Sequence, residues 1–174
     1  MSEKIIIREA GLNDAETLSQ LSAQTFYEAF AAFNTKEDMD MHLAAYYTKD
    51  KIFEELRDEL VVFLLAYYDN ELAGYVKISE HRSPEEDAEL DAPVELVRIY
   101  SLNKTIGKGI GSALMQATID FAKSKQKKTL WLGVWQQNET AIAFYKKWGF
   151  EIYGEHVFVV GTDPQMDLLM KKAL

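Results

Sequence analysis

The sequence predicts an α/β (α+β) fold in one domain over residues 1–174, with a mixed sheet of about six or seven strands and about four flanking helices. Two observations lead to this class. The apolar patterns run as strand, helices and strand pair, and then as strand–helix–strand–helix–strand, which is the order of a sheet that contains a parallel βαβ unit. In addition, no linker or internal repeat divides the chain, and its 174 residues suit one compact core.

The first half of the chain is predicted to form a strand, helices and a hairpin. A β-branched strand is expected over 4–8, followed by a helix over 17–31 with Asn13 or Asp14 as its N-cap. Thr35 and Asp38 resemble a capping box, which predicts a further helix, and a short one follows it. Two apolar runs separated by turn residues predict an antiparallel hairpin, and an acidic loop comes next. The two helices are expected over 37–46 and 50–57, the hairpin strands over 61–67 and 72–79, and the loop over 83–91.

The second half alternates strands with helices. Strands are predicted over 94–101 and 129–134, each followed by a helix, over 109–124 and 139–148. A further strand begins at 150–153, and residues 166–170 are expected to close the sheet.

Composition excludes several classes of function. The chain has no cysteine, and His42, His81 and His156 lack the spacing of metal ligands, so we expect no metal. A net charge of −9 disfavours nucleic acid as a partner and leaves room for a cationic substrate. Residues 1–7 are too short and polar for a signal peptide, and no apolar run reaches the ~18 residues of a membrane span, so we expect a cytoplasmic protein without membrane contact. A homodimer is left open.

A glycine-rich loop between a strand and a helix is the most informative segment. Gly107, Gly109 and Gly111 alternate with Lys108 and Ile110, and Ser112 follows as the apolar helix begins. Free N–H groups and the positive end of the helix dipole suit a pyrophosphate there, and Lys108 adds a positive charge. The spacing fits neither the dinucleotide fingerprint nor a P-loop.

The loop and a second motif downstream resemble those of the GNAT acetyltransferases. In that family a strand, a glycine-rich pyrophosphate loop and a helix precede an Asn-led helix with a Phe-Tyr pair. Here the second motif runs over 138–150, from Asn138 through Phe144-Tyr145 to Gly149-Phe150. Ile106 stands where the family usually has Gln or Arg at the first loop position.

The resemblance implies a GNAT fold with a splayed parallel strand pair, acetyl-CoA as cosubstrate and a role for each matching residue. The backbone of Ile99, Tyr100 and Ser101 would hold the pantetheine arm and the thioester carbonyl. Asn138 would contact the cofactor, and Tyr145 would sit near the thioester sulfur as the acid for the leaving thiolate. The pyrophosphate would be bound by Gly107, Lys108, Gly109, Ile110, Gly111 and Ser112.

A general base is also needed, because a primary amine of pKa near 10 loses its proton at pH 7 at a cost of roughly 4 kcal/mol. Glu95 is the candidate: in a regular strand it alternates with Val97 and Ile99, which directs it toward the expected cleft. An exposed glutamate without a catalytic role would fit the same pattern.

The acceptor is expected to be a small cationic amine. Segments 24–35, 99–100, 131–135 and 158–161 are similar to bacterial spermidine/spermine N-acetyltransferases of the PaiA type, which implies a polyamine. Acidic and aromatic side chains of the helical cap would hold it: Glu28, Glu37, Asp38, Asp40, Phe26, Tyr27 and Phe33. Two alternatives stay open: acetylation of a protein α-amine or lysine, and an acetyl-CoA-binding sensor that does not turn over.

Overall fold

A computed structural model describes residues 4–83, 86 and 88–174. The predicted acidic loop over 83–91 therefore falls partly outside the described residues, as do positions 1–3 of the expectation about the N-terminus. Within the described part of the chain there are seven strands and five α-helices. The strands are β1 Ile5–Glu9, β2 Val61–Tyr68, β3 Glu71–Ser79, β4 Pro93–Ser101, β5 Thr129–Trp135, β6 Glu151–Val160 and β7 Asp163–Ala173.

All seven strands form one mixed sheet in the order β1-β2-β3-β4-β5-β7-β6. The β4–β5 pair is parallel and every other neighbouring pair is antiparallel. Parallel neighbours need a crossover, and the helix after β4 provides it. The predicted mixed sheet with a parallel pair near its centre is confirmed.

Some of the helices begin where a short polar side chain accepts a hydrogen bond from a free amide. Thr35 accepts from the amide of Asp38 and Thr48 accepts from that of Lys51, so both act as N-caps. None of the helices of the described residues is long and apolar enough to cross a membrane. The five are α1 Ala15–Phe30, α2 Lys36–Tyr46, α3 Lys49–Arg57, α4 Ile110–Ser124 and α5 Glu139–Lys147.

The sheet buries a different set of helices on each face. On one face, α4 packs its buried side chains Ile110, Leu114 and Met115 against β2 to β5. On the other, Leu18 of α1 and Ile52 of α3 pack against Phe63, Leu65 and Tyr75. We call these the α4 face and the α1 face. The helices on the two faces together cover most of the sheet. Successive residues along each strand belong to opposite faces.

A β-bulge in β4 corrects the expected direction of Glu95. Lys77 pairs with Arg98 but the next residue, Ile78, pairs with Leu96, so Val97 is an extra residue on β4. Because the bulge reverses the alternation, Ile99 packs on the α4 face while Glu95 lies on the α1 face. The prediction that Glu95, Val97 and Ile99 share one face was therefore wrong.

The last two strands are longer than the sequence pattern indicated. Instead of short segments at 150–153 and 166–170, β6 and β7 form a hairpin of 10 and 11 residues. Most residues of β6 are exposed, because β6 is an edge strand, so they lack the alternation of buried and exposed residues that reveals a strand.

Candidate active site

Strands β4 and β5 separate from each other at the centre of the sheet. Their pairing is limited to Pro93–Glu95 of β4 against Thr129–Trp131 of β5, and it ends at the Glu95–Trp131 pair. Beyond that point β4 continues to Ser101 and β5 to Trp135 without pairing to each other. The facing strand edges are therefore free to pair with an extended ligand in the opening. The predicted splay, with Ile99, Tyr100 and Ser101 along one side, is observed.

The glycine loop lies at the start of α4. Gly107 and Gly109 have φ angles of 83° and 85°, which other residues rarely adopt. Gly109 is the N-cap and offers no side-chain cap. Within the described residues, the amides of Ile110, Gly111 and Ser112 donate to no backbone carbonyl or side chain. The loop thus presents a row of free amides at the positive end of a helix of 15 residues.

The lysine of this loop has a neighbour of its own. The Nζ of Lys108 lies 4.8 Å from the centroid of the Tyr68 ring, in a cation–π contact. Its side chain is exposed, and so is that of Ile106. The structure accordingly brings the backbone of the loop together as a cradle and leaves the Lys108 ammonium at its rim.

Helix α5 brings the second motif against the first. A Cβ atom at Gly111 would lie 3.6 Å from the ring of Phe144, so α4 and α5 touch where α4 begins. Asn138 caps α5, since its side-chain oxygen accepts from the amide of Ala141 at 3.2 Å. Its Nδ2 amino group has no partner among the described residues and remains available to a ligand.

Tyr145 is buried beside the opening between the strands. It is 8% exposed and its ring packs against those of Phe144 and Phe150. Burial raises the pKa of its hydroxyl well above the ordinary value, so the group keeps its proton at neutral pH. Burial is the first cause of the raised pKa of the Tyr100 phenol on β4, followed by Tyr47 and Tyr75. Tyr145 is close enough to add to this shift.

On the α1 face, Glu95 occupies the last paired position before the splay. Burial raises the pKa of its carboxyl from 4.5 to about 7, and Lys77 opposes that shift. A carboxyl group of this pKa can accept a proton and release it again near neutral pH, which is what a general base must do. Its position at the edge of the opening is compatible with the predicted role, although the bulge brings it there from the other face.

A pocket of about 500 Å³ opens on the α1 face beside the end of β5. Phe30 of α1 connects it to the splay, because the Phe30 ring lies 6.2 Å from Tyr100 and 6.2 Å from Trp135. Phe33, which is 61% exposed, packs on Trp135 at 5.1 Å. Sequence reasoning missed most of this pocket, since its residues come from three distant segments. Its lining consists of Phe33, Trp135, Gln136, Gln137, Val157, Asp163, Pro164, Gln165 and Met166.

Several acidic side chains of the helical cap are engaged elsewhere. Asp38 is buried and accepts from both the amide and the hydroxyl of Thr162 at 2.8 Å, and these hydrogen bonds lower its pKa. Asp40 forms an ion pair with Lys36, and Glu28 accepts from the amide of Asn103. The prediction that these carboxylates line the acceptor site is therefore not supported by their contacts. Of the predicted aromatic residues, Phe26 is in the core, Tyr27 is exposed, and Phe33 lines the pocket.

Among the side chains that the structure describes, there is no group of three or more His, Asp or Glu residues arranged to hold a metal ion.

Comparisons with known sequences point to one family. The model of the acetyltransferase (GNAT) family matches residues 18–150. An uncharacterised N-acetyltransferase of Lactobacillus delbrueckii subsp. lactis is 35% identical over 154 residues, which cover 88% of each chain. The spermidine N(1)-acetyltransferase of Thermoplasma acidophilum is 26% identical over 152 residues, 85% of this chain and 89% of that one.

The fold agrees with these matches. The PaiA N-acetyltransferase of Thermoplasma acidophilum, solved in complex with coenzyme A, superposes with a TM-score of 0.80 over the whole of both chains at 24% identity. Ard1 of Thermoplasma volcanium gives a TM-score of 0.72 over 99% of each chain at 19% identity. With the splayed strands, the amide cradle and the extent of the family match, the chain belongs to the GNAT family of acetyltransferases, enzymes that take their acetyl group from acetyl-CoA.

Proposed function

We propose that the chain acetylates a primary amine by direct attack on bound acetyl-CoA, and that the acceptor is a small polyamine such as spermidine or spermine. The observation that carries this proposal is the opening between β4 and β5. It has a row of free amides at one end, a buried tyrosine beside it and a pocket on its other side.

The residues of the first side fit acetyl-CoA. Free amides at the start of α4 can bind the pyrophosphate, because they donate hydrogen bonds and carry the positive end of the helix dipole. At Gly107 a Cβ would meet nothing within 4 Å, so the space beside the loop is open at this position. The unpaired edge of β4 from Ile99 to Ser101 can pair with the amide groups of the pantetheine arm.

The chemistry needs two proton-handling groups, one for the amine and one for the sulfur. Acetyl-CoA, when bound, supplies an acyl thioester that an amine can attack. Glu95 accepts the proton of the acceptor ammonium, for which a pKa of about 7 is well matched near neutral pH. Tyr145, kept protonated by burial, provides the proton for the departing thiolate.

The pocket on the α1 face suits a cationic acceptor with an aliphatic chain. Trp135 and Phe33 offer aromatic faces, which attract ammonium groups and pack against methylenes. Asp163 contributes a negative charge at the start of β7, and three glutamine amides add hydrogen-bonding groups. The similarity to a relative named as a spermidine N(1)-acetyltransferase supports the same class of acceptor.

The first test measures thiol release from acetyl-CoA with spermidine, spermine, simple monoamines and peptides with free α-amines or lysines, beside reactions without acceptor. Polyamine-dependent release is the expected result. Activity on peptides alone would replace the polyamine with a protein acceptor. Binding of acetyl-CoA without transfer to any amine would favour a sensor and would overturn the proposed function.

A matched pair of variants tests the pocket. Asp163 accepts a hydrogen bond from Gln165 at 3.0 Å, and Asp120 on the exposed face of α4 accepts one from Gln116 at the same distance. Asp163→Asn is expected to raise KM for spermidine roughly 5- to 10-fold with a smaller effect on a monoamine, because one ion pair is lost. Asp120→Asn should leave both values unchanged. Equal KM values in the two variants would remove Asp163 from the acceptor site.

A further inference from the structure

His156 of β6 lies between two carboxylates on the α1 face. Its Nδ1 is 3.0 Å from Oε1 of Glu86, which precedes β4, and its Nε2 is 3.6 Å from Oδ2 of Asp167. Asp167 is the residue directly opposite His156 in the β6–β7 register. Both ring nitrogens therefore face an acceptor, and the orientation of the imidazole is held from two sides.

Gly133 gives this ring its position in the sheet. A Cβ atom built at Gly133 would lie 3.4 Å from Nε2 of His156 and 3.4 Å from Oδ2 of Asp167. The imidazole and the carboxylate thus occupy space above β5 that a side chain at residue 133 would otherwise fill. On this face Gly133 is the next β5 residue after Trp131, where β4 leaves its partner. His156 and Asp167 consequently extend toward the opening between the strands.

Glu95 faces the same region from the other side of the opening. Burial is the main cause of its raised pKa of about 7. Lys77 and His156 oppose the shift and Glu86 adds to it, so all of these groups share one electrostatic environment. The pKa of Asp167 is also raised by burial, against the effect of His156. Among the residues that the structure describes, Glu86 and Asp167 contact His156 directly. Glu95 is near enough for His156 to affect its pKa, and Lys77 lies on the neighbouring strand β3.

Solvent reaches His156 more readily than it reaches the carboxylate of Asp167. The His156 side chain is 29% exposed, whereas that of Asp167 is 12% exposed. A proton taken up by Glu95 beside the substrate has to leave the site before the next turnover. The imidazole is in contact with solvent, and it can take up a proton on one ring nitrogen and release one from the other.

We propose that His156, oriented by Glu86 and Asp167, carries to solvent the proton that Glu95 takes from the acceptor amine. This inference rests on the proposed acetyl transfer. In each turnover the ammonium group loses two protons and the C–N bond forms as the C–S bond breaks. Tyr145 gives its proton to the sulfur of coenzyme A and then regains one of the two protons lost by the amine, while the other leaves through Glu95 and His156. His156 is a positioning and proton-carrying residue that does not touch the reacting carbon.

The test uses removal of the imidazole and its replacement from solution. His156→Ala is expected to lower kcat about 10-fold or more in weakly buffered solution, in line with the usual contribution of proton transfer groups. Added imidazole should restore much of kcat in this variant and leave the wild type unchanged. His156→Gln keeps the shape of the side chain but cannot carry a proton, so it should be slow and insensitive to imidazole.

The chain offers a matched control in His81, whose Nε2 lies 2.6 Å from Asp58 on an exposed surface. His81→Ala should retain the wild-type kcat. A His156→Ala enzyme with unchanged kcat at low buffer concentration would overturn the relay. So would a slow variant that imidazole does not rescue and that also binds acetyl-CoA weakly, because that pattern indicates a structural role. A wild-type protein inactive toward every amine would instead overturn the proposed function.

Discussion

Replacing Glu95 with glutamine is expected to stabilise the protein at alkaline pH while lowering its activity. The carboxyl group has a pKa of about 7 in the folded chain and near 4.5 when exposed, and burial is the first cause. Below pH 4.5 it is protonated in both states and pH has no effect through this group. As pH rises toward 7, the unfolded state ionises first, so the folded state loses stability.

The size of this loss follows from the two pKa values. Each tenfold step in a proton equilibrium corresponds to about 1.4 kcal/mol, so ionisation of Glu95 destabilises the folded chain by on the order of 3 kcal/mol above pH 7. Glutamine has nearly the same shape and no charge. The free energy of unfolding of Glu95→Gln, relative to the wild type, should therefore rise by about that amount between pH 5 and pH 8.

Urea unfolding at several pH values between 5 and 8.5 measures this difference directly. The matched control is Glu151→Gln, which changes an exposed glutamate at the start of β6. Activity assays on the same preparations should give a lower kcat/KM for Glu95→Gln. The wild-type kcat/KM should rise with pH near 7, and this rise should be lost in the variant. A constant difference in stability at all pH values would refute the reasoning about burial of this carboxyl group.

Three further outcomes are expected. Tyr145→Phe should lower kcat about 10- to 100-fold and change acetyl-CoA affinity little, because it removes only the proposed proton donor. Tyr46→Phe, on the exposed part of α2, is the control, and stopped-flow rates and calorimetric binding separate the two effects. Gly161→Ala should cost about 1–3 kcal/mol more stability than Gly107→Ala in urea unfolding. Both positions have positive φ, but only the Cβ at 161 would approach Asp38, at 2.5 Å from its Cα atom. Gly109→Ala should weaken acetyl-CoA binding several-fold, because a φ of 85° disfavours alanine and the amide cradle would shift, whereas Gly11→Ala in open space should have no effect on binding.

The order of elements and the position of the two cofactor motifs in the fold could be predicted because their signals are local. The strand, the glycine loop and the start of α4 are contiguous, and so are Asn138, Phe144 and Tyr145 on α5. Helix caps such as Thr35 depend on residues three positions away, which a sequence displays directly. These features therefore come from the sequence with nearly their observed bounds.

The residues proposed for the acceptor side could not be predicted in the same way, because strand pairing brings them together. His156 and Asp167 meet across the β6–β7 hairpin, and both lie above Gly133 of β5, where a side chain would leave them less room. The bulge at Val97 has no distinctive residue type, yet it moves Glu95 to the opposite face of the sheet. A one-residue change of phase is invisible in composition and periodicity, so the direction of Glu95 had to come from the register.

The position of Phe30 affects whether the acetyl group of acetyl-CoA passes to an amine or is lost to water. Its ring contacts Tyr100 on one side of the opening and Trp135 on the other, each at 6.2 Å, so three aromatic rings cover the α1 face of the splay. A thioester can react with water as well as with an amine, and an apolar cover limits the access of water. Hydrolysis of acetyl-CoA without an acceptor should accordingly be slow, and nearly every acetyl group consumed should appear on the amine.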